Sequence, residues 1–238
     1  MKTVVVIPAY NAAQTLPAVI ERIPTEILDS LISLIIVNDG SRDGTAEVAE
    51  DLAGQIDCAR VIHVKNNCGY GATMKLGLSK AVAAKADKVV CLHADGQYAP
   101  EMLPKLLIEL SVRKLDILQG SRIASGTALS GGMPLYKYVA GRALTFMENR
   151  VFGLGLSDYH SGYMLYGRKA LEQIPFERLS DSFDFDLQMI ASARARGLAV
   201  GELPIPTRYA GEVSYLNPVR YGFSVLRVMF NYLKGDYS

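Results

Sequence analysis

The chain has 238 residues, a formal net charge of +1 and half of its residues hydrophobic. That is enough apolar material for the core of one α/β domain, and it leaves no global field to draw in nucleic acid. Lysine- or arginine-rich blocks and zinc-finger spacings are absent, so nucleic acid is not an expected partner, and three scattered cysteines, Cys58, Cys68 and Cys91, argue for reduced thiols in a cytoplasmic protein rather than a disulfide frame.

Residues 4–7, Val-Val-Val-Ile, form an apolar run stopped by Pro8. They read as a strand buried on both faces rather than a signal peptide. A helix over 15–22 follows, and then a strand at 34–37 that runs into Asn38-Asp39-Gly40-Ser41. A helix carrying Ala46, Val48, Ala49 and Leu52 leads to a third strand at 60–64, then to Asn67-Cys68-Gly69-Tyr70-Gly71 and a helix reaching residue 84. The fourth strand, 87–92, empties into His93-Ala94-Asp95-Gly96-Gln97 and is followed by a helix at 100–112 and a short strand at 116–119. Strands alternating with helices predict a parallel, doubly wound sheet, whose ligands bind outside the carboxyl ends of the strands. Polar clusters, most of them glycine-bearing, occupy that edge after all five strands, at 8–11, 38–44, 66–71, 93–97 and 120–122. Beyond residue 125 the character changes. A small-residue loop at 125–132 precedes a long helix at 134–152 with Lys137, Arg142 and Arg150. Then come a strand at 162–166, a helix at 185–196, a strand at 199–203 and a terminal helix at 221–233. The expected organisation is one domain with a donor half, 1–124, and an acceptor half, 125–238. No stretch reaches the ~18 apolar residues that a membrane span needs.

Asp95 is the leading chemical candidate. It ends a buried strand, and Gln97 lies two positions on, which in extended backbone puts both side chains on one side. A carboxylate and an amide oxygen are hard ligands suited to Mg²⁺ or Mn²⁺, which would offset charge on a leaving nucleoside diphosphate. The plainer alternative is a carboxylate that caps the turn before Pro100. Asp39 lies where an acid can accept from a ribose hydroxyl or a base N–H, while Asp43 reads as a helix cap. Gly69-Tyr70-Gly71 opens a helix and offers backbone N–H groups to phosphate, but Met74 stands where a dinucleotide fingerprint has its third glycine. Arg122, at the ligand edge, stands out among the cations, with Lys137, Arg142 and Arg208 further along. Asp184 and Asp186 alternate with aromatics; they read equally as a general base for an acceptor hydroxyl or as acids at a helix N-terminus. The terminal helix, with Val225, Leu226, Met229 and Phe230, reads first as a core helix and second as a helix lying on a bilayer.

Taken together, residues 6–11, 37–45, 67–71, 94–101 and 120–122 resemble family 2 glycosyltransferases in order and spacing. The dolichyl-phosphate mannosyltransferase-like branch is the nearest, and the segments 158–163 and 202–205 also fit it. The resemblance implies a GT-A type fold, an α/β architecture with a doubly wound, mostly parallel sheet flanked by helices. It implies a metal-dependent, inverting transfer from a UDP- or GDP-sugar. Pro8, Ala9, Tyr10, Asn11 and Asp39 would hold the base and ribose, with Asn67, Gly69, His93 and Ala94 among the donor contacts and Arg208 near the donor phosphate. Asp95 and Gln97 would bind the metal, and Arg122 and Lys137 would meet an acceptor phosphate. Three residues depart from the family pattern: His93 replaces an acid, Ala12 a glutamate, and Gln188 an acid near the late helix, which leaves Asp186 as the nearest carboxylate. A phosphate acceptor is already anionic and needs no base, whereas a hydroxyl acceptor does. A polyprenyl phosphate is the favoured acceptor, with peripheral contact at the inner face of a membrane. The alternatives are a hydroxyl acceptor, or a catalytically silent nucleotide-binding module.

Overall fold

The computed structural model describes residues 1–206 and 217–237. Alternation along the first strand, β1 (Thr3–Ala9), divides its side chains between two cores. Val4 and Val6 enter one, Val5 and Ile7 the other, as a strand covered on both faces requires. Strands β2 (Leu31–Asp39) and β4 (Lys88–Cys91) pair with β1 in parallel on its two sides. Strand β3 (Ala59–Val64) pairs in parallel with β2. Beyond β4, β6 (Met164–Gly167) runs antiparallel to both β4 and β5 (Ile117–Ser121), and β7 (Val200–Pro204) is parallel to β5. The seven-stranded order is β3-β2-β1-β4-β6-β5-β7. The chain leaves β1 in one direction for β2 and β3 and returns on the other side for β4. A crevice opens at this switch point, outside the carboxyl ends of β1 and β4.

The helices are α1 (Leu16–Glu21), α2 (Thr25–Leu28), α3 (Thr45–Ala53), α4 (Tyr70–Ala83), α5 (Leu103–Val112), α6 (Leu135–Phe152), α7 (Arg168–Gln173), α8 (Phe185–Ala195) and α9 (Pro218–Lys234). Leu16, Val19 and Ile20 of α1 and Leu103, Leu106 and Leu110 of α5 share a core with Val5 and Ile7. Met74 and Leu78 of α4, Phe185 and Ile190 of α8 and Val225 of α9 share the other with Val4 and Val6. Helix α4 lies so close to β1 that a Cβ on Gly77 would stand 2.3 Å from a methyl of Val6.

The alternation of strands and helices follows the sequence expectation, with three differences. Helices α2 and α7 have only four and six residues, too few for an apolar period to show. The antiparallel direction of β6 leaves no mark on its own residues. Helix α9 starts at Pro218, earlier than its apolar pattern, because the Asn217 side chain accepts from the N–H groups of Val219 and Arg220, each at 3.1 Å, with proline in the first turn. Among the described residues, no helix is long and apolar enough to cross a membrane.

Candidate active site

A cleft of about 1060 Å³ opens at the switch point. Its floor is built from turns that tie one strand end to the next. Asn11 has a positive φ of 50°, a conformation asparagine tolerates. Its N–H donates to Ser41 Oγ at 3.0 Å, and its Oδ1 accepts from the Arg42 N–H at 2.9 Å. Asp43 accepts from the N–H groups of Ala13 and Thr45 and from the Thr45 hydroxyl, so it is structural as expected, although Gly44 rather than Asp43 is the N-cap of α3. Asp39 is buried; its two oxygens accept from the N–H groups of Cys68, at 2.8 Å, and Gly69, at 3.1 Å. It therefore pins the loop after β3 while also lining the cleft.

Asp95 follows β4 by four residues and lines the cleft near the end of β1. Its Oδ1 accepts from the Gln97 N–H at 2.9 Å, and its Oδ2 has no hydrogen-bond partner among the described residues. Gln97 turns its amide oxygen to Arg122, whose Nη1 donates to it at 3.2 Å. A guanidinium beside that oxygen opposes a cation there, so the structure directs Gln97 towards holding Arg122. No cluster of three or more His, Cys, Asp or Glu suited to a metal occurs among the described residues. Of the carboxylates lining the cleft, Asp95 has one oxygen without a hydrogen-bond partner among the described residues, which fits a hard divalent ion that takes most of its shell from phosphate and water.

Behind Asp95 stands an aromatic wall. The Tyr70 hydroxyl donates to Asp186 Oδ2 at 2.7 Å and lies 3.2 Å from His93 Nε2. Burial pushes the Tyr70 hydroxyl well above its usual range, so its single proton stays in place and points to Asp186. His93 Nε2 must then carry a proton and donate, which leaves Nδ1 as an acceptor. Burial holds His93 below its ordinary value, with Asp95 pulling up and Arg122 down. The His93 ring sits edge-on against Tyr98 at 5.2 Å, and the Arg122 guanidinium lies 5.4 Å from the Tyr98 ring centre. A Cβ at Gly162 would stand 2.4 Å from His93 Nε2, so only glycine leaves room for that ring. Asp186 accepts a second bond, from the Tyr166 hydroxyl at 2.9 Å, and burial pushes it up to about 6.

Of the residues singled out from sequence, Pro8, Ala9, Tyr10, Asn11, Asp39, His93, Ala94, Asp95, Gln97, Arg122, Lys137 and Asp186 line this one cleft. Asn67 and Gly69 are not among the residues that line it. Asn67 is exposed, and the Gly69 N–H is spent on Asp39. The N–H groups of Gly71 and Ala72 at the start of α4 both donate to the Asp181 carbonyl, at 2.9 and 3.3 Å. Arg208 lies outside the described residues. Sequence reasoning missed Tyr70, Tyr98, His160 and Tyr221, all lining the cleft. For His160 the only available signal was its place inside the 158–163 segment.

The glycosyl transferase family 2 model matches residues 4–175. The chain belongs to that family. This glycosyltransferase is 30% identical over 206 residues to a polyprenol monophosphomannose synthase of Mycolicibacterium smegmatis, a match that covers 86% of this chain and 76% of the relative. It is 28% identical over 216 residues to a UDP-N-acetylglucosamine–dolichyl-phosphate N-acetylglucosaminyltransferase of Methanococcus voltae, covering 86% and 84% of the two chains. Among solved structures, glucosyl-3-phosphoglycerate synthase from Mycobacterium tuberculosis, in complex with Mn²⁺ and UDP-glucose, matches with a TM-score of 0.70 at 19% identity, over 98% of this chain and 78% of that one. The fold of this glycosyltransferase is therefore of the GT-A type.

Proposed function

We propose that this glycosyltransferase moves a sugar from a nucleoside-diphosphate sugar to the phosphate of a polyprenyl acceptor, with inversion. The observation that carries the reading is the layout of one cleft, with the Asp95 carboxylate at the carboxyl ends of β1 and β4 and the cations Arg122 and Lys137 sharing the same cavity. The acceptor oxygen forms a bond to the anomeric carbon as the bond to the diphosphate breaks and its electron pair leaves with the diphosphate. Mg²⁺ or Mn²⁺ bound through Asp95 would offset the charge on that leaving group. Arg122, steadied by Gln97 and Tyr98, and Lys137 hold the acceptor phosphate and orient it for attack. Asp186 stands behind Tyr70 with both oxygens already accepting from tyrosines. That is a poor position for a general base and supports an acceptor that needs none.

A lipid acceptor implies contact with a membrane surface. Helix α9 buries Val225, Val228 and Met229 in the core, yet Val219, Phe223, Leu226, Phe230 and Leu233 form a second, exposed stripe at helical spacing. Leu135, Val139 and Phe146 are exposed on α6, and the two helices are neighbours in the fold. Arg150 lies over the Phe146 ring and Lys234 over Phe230, and α9 carries no acidic residue. An apolar stripe flanked by cations suits an anionic bilayer surface.

The test supplies UDP- and GDP-sugars, Mn²⁺ and undecaprenyl phosphate to the full chain and follows labelled sugar into extractable lipid. Label in the prenyl phosphate but not in the free prenol is expected. Transfer only to glycan hydroxyls would overturn the acceptor, and donor binding without turnover on any acceptor would make the chain a silent nucleotide-binding module.

A further inference from the structure

Glu148 lies mid-way along α6 and is completely buried. Neither of its carboxylate oxygens, nor the His160 Nε2 that faces it, has a well-aligned hydrogen bond among the described residues, so the two meet as a close acid–imidazole pair, an unusual state for a buried acid and one that calls for a physical reason. Among the described residues the cation that pairs with it is His160, whose Nε2 lies 3.2 Å from Glu148 Oε2. The other nitrogen of the ring, Nδ1, is 3.1 Å from the Tyr221 hydroxyl at the start of α9. The ring packs edge-on against Tyr221 at 5.5 Å, and the His160 N–H donates to Asp158 Oδ1 at 2.8 Å. Glu148 stays behind the wall, while His160, Tyr221 and Asp158 line the cleft that also holds Arg122 and Lys137. The proposed mechanism gives this group no role.

Proton counting along the row gives it one. While the Glu148–His160 pair holds its extra proton, the imidazole nitrogen facing Tyr221 carries hydrogen. This is true of an imidazolium beside a carboxylate, and equally of a carboxylic acid donating to Nε2. The Tyr221 oxygen must then accept from Nδ1, and its own O–H turns to the cleft as a donor. Once the pair loses that proton, Nε2–H faces Glu148, Nδ1 is bare, and the Tyr221 proton is drawn back to it. The hydroxyl then offers only lone pairs to the cleft.

We infer that the Tyr221 hydroxyl is a binding donor for a tetrahedral oxyanion in this cleft, and that the Glu148–His160 pair behind it sets whether it donates. The inference rests on the reading of an acceptor phosphate beside Arg122 and Lys137. It adds a ligand-contacting residue and a pH control to that site. The electrostatics run in the needed direction. Both members of the pair retain a proton to higher pH than usual, Glu148 through burial, and His160 because Glu148 and Asp158 outweigh its burial and the opposing Arg122. Burial keeps the Tyr221 hydroxyl protonated throughout.

Two probes separate the sources of the oxyanion: sulfate, whose charge is constant over the range, and farnesyl phosphate, which adds a prenyl chain. Binding to the full chain is measured by calorimetry from about pH 6 to about pH 9, for the parent, Tyr221→Phe and Glu148→Gln. For the parent, affinity for sulfate is expected to fall about tenfold as pH rises, the worth of one hydrogen bond to a charged group. Tyr221→Phe should be about tenfold weaker at the acid end and flat in pH. Glu148→Gln should move the transition to lower pH, since His160 loses its carboxylate. A parent that binds sulfate with this profile but ignores farnesyl phosphate would sink the prenyl acceptor and leave the Tyr221 switch standing. A Tyr221→Phe protein with the parent's sulfate affinity and pH profile, or a parent that binds sulfate at no pH, would overturn the switch itself.

Discussion

Asp186→Asn changes one buried carboxylate into an amide of nearly the same shape, and it separates a buried anchor from a general base. Burial lifts Asp186 from the ordinary 3.8 to about 6, against the pull of the Tyr70 and Tyr166 hydroxyls. At about 1.4 kcal/mol per pH unit, that gap corresponds to an upper bound of ~3 kcal/mol. The folded value lies above the unfolded one. The stabilisation is therefore complete below 3.8 and is lost as pH rises through about 6. The asparagine has no such slope. The stability of the parent minus that of the variant should grow as pH falls from about 7.5 to about 4, by as much as ~3 kcal/mol. Urea unfolding at a series of pH values measures it, and a difference flat in pH would refute the burial argument. Transfer assays on the same variant test the chemistry. With a prenyl phosphate acceptor kcat should stay within about threefold of the parent, whereas loss of a general base would cost about 10²- to 10⁴-fold.

Asp95→Ala should lower kcat at least about a hundredfold at saturating Mn²⁺ and abolish the Mn²⁺-dependent rise in melting temperature that a nucleotide-sugar gives; turnover at the parent rate would remove Asp95 from the mechanism. Gly162→Ala places a methyl 2.4 Å from His93 Nε2. It should cost about 1–3 kcal/mol in urea unfolding, because His93 is held between Tyr70 and Tyr98 and has nowhere to retreat; an unchanged midpoint would show that the ring has room. Phe223 and Phe230 are 70% and 58% exposed. Changing both to aspartate should therefore leave stability within about 0.5 kcal/mol per site yet abolish flotation with anionic vesicles. Truncating α9 would not make this test, since Val225, Val228 and Met229 belong to the core; equal flotation of parent and double variant would remove the membrane contact.

What was legible in the sequence was local or periodic. The run at residues 4–7 announces a doubly covered strand because burial on both faces demands uninterrupted apolar character. Asp95 was legible because a polar turn at a strand end belongs to the ligand edge of any parallel sheet. The direction in which groups face was not legible. Spacing marks 67–71 as a loop at that edge, but only the packed structure shows its N–H groups turned to Asp39 and Asp181. Gln97 was expected on one side with Asp95 by alternation, but the backbone turns at 94–96 with Gly96 at a positive φ, and Arg122, 25 residues on, engages the Gln97 oxygen. Glu148 between Arg142 and Arg150 looks like any surface helix acid. Its burial depends on where α6 sits, and its partner His160 is brought to it by tertiary packing.

The departure at residue 93 has a counterpart in the same wall. An acid at position 93 would stand two residues from Asp95, and two carboxylates so placed repel one another until a cation arrives. This chain places the imidazole of His93 there and keeps the second carboxylate one tyrosine further back, as Asp186. Tyr70 connects the two, accepting from His93 and donating to Asp186, so the negative charge helps to orient the wall without competing with Asp95 for the cleft. With Asp39 already accepting from the N–H groups of Cys68 and Gly69, charge balance at a metal held by Asp95 would depend on the diphosphate itself. On the proposed reading, metal and nucleotide would be held as one unit, and Arg122 and Lys137 would be left to serve the acceptor.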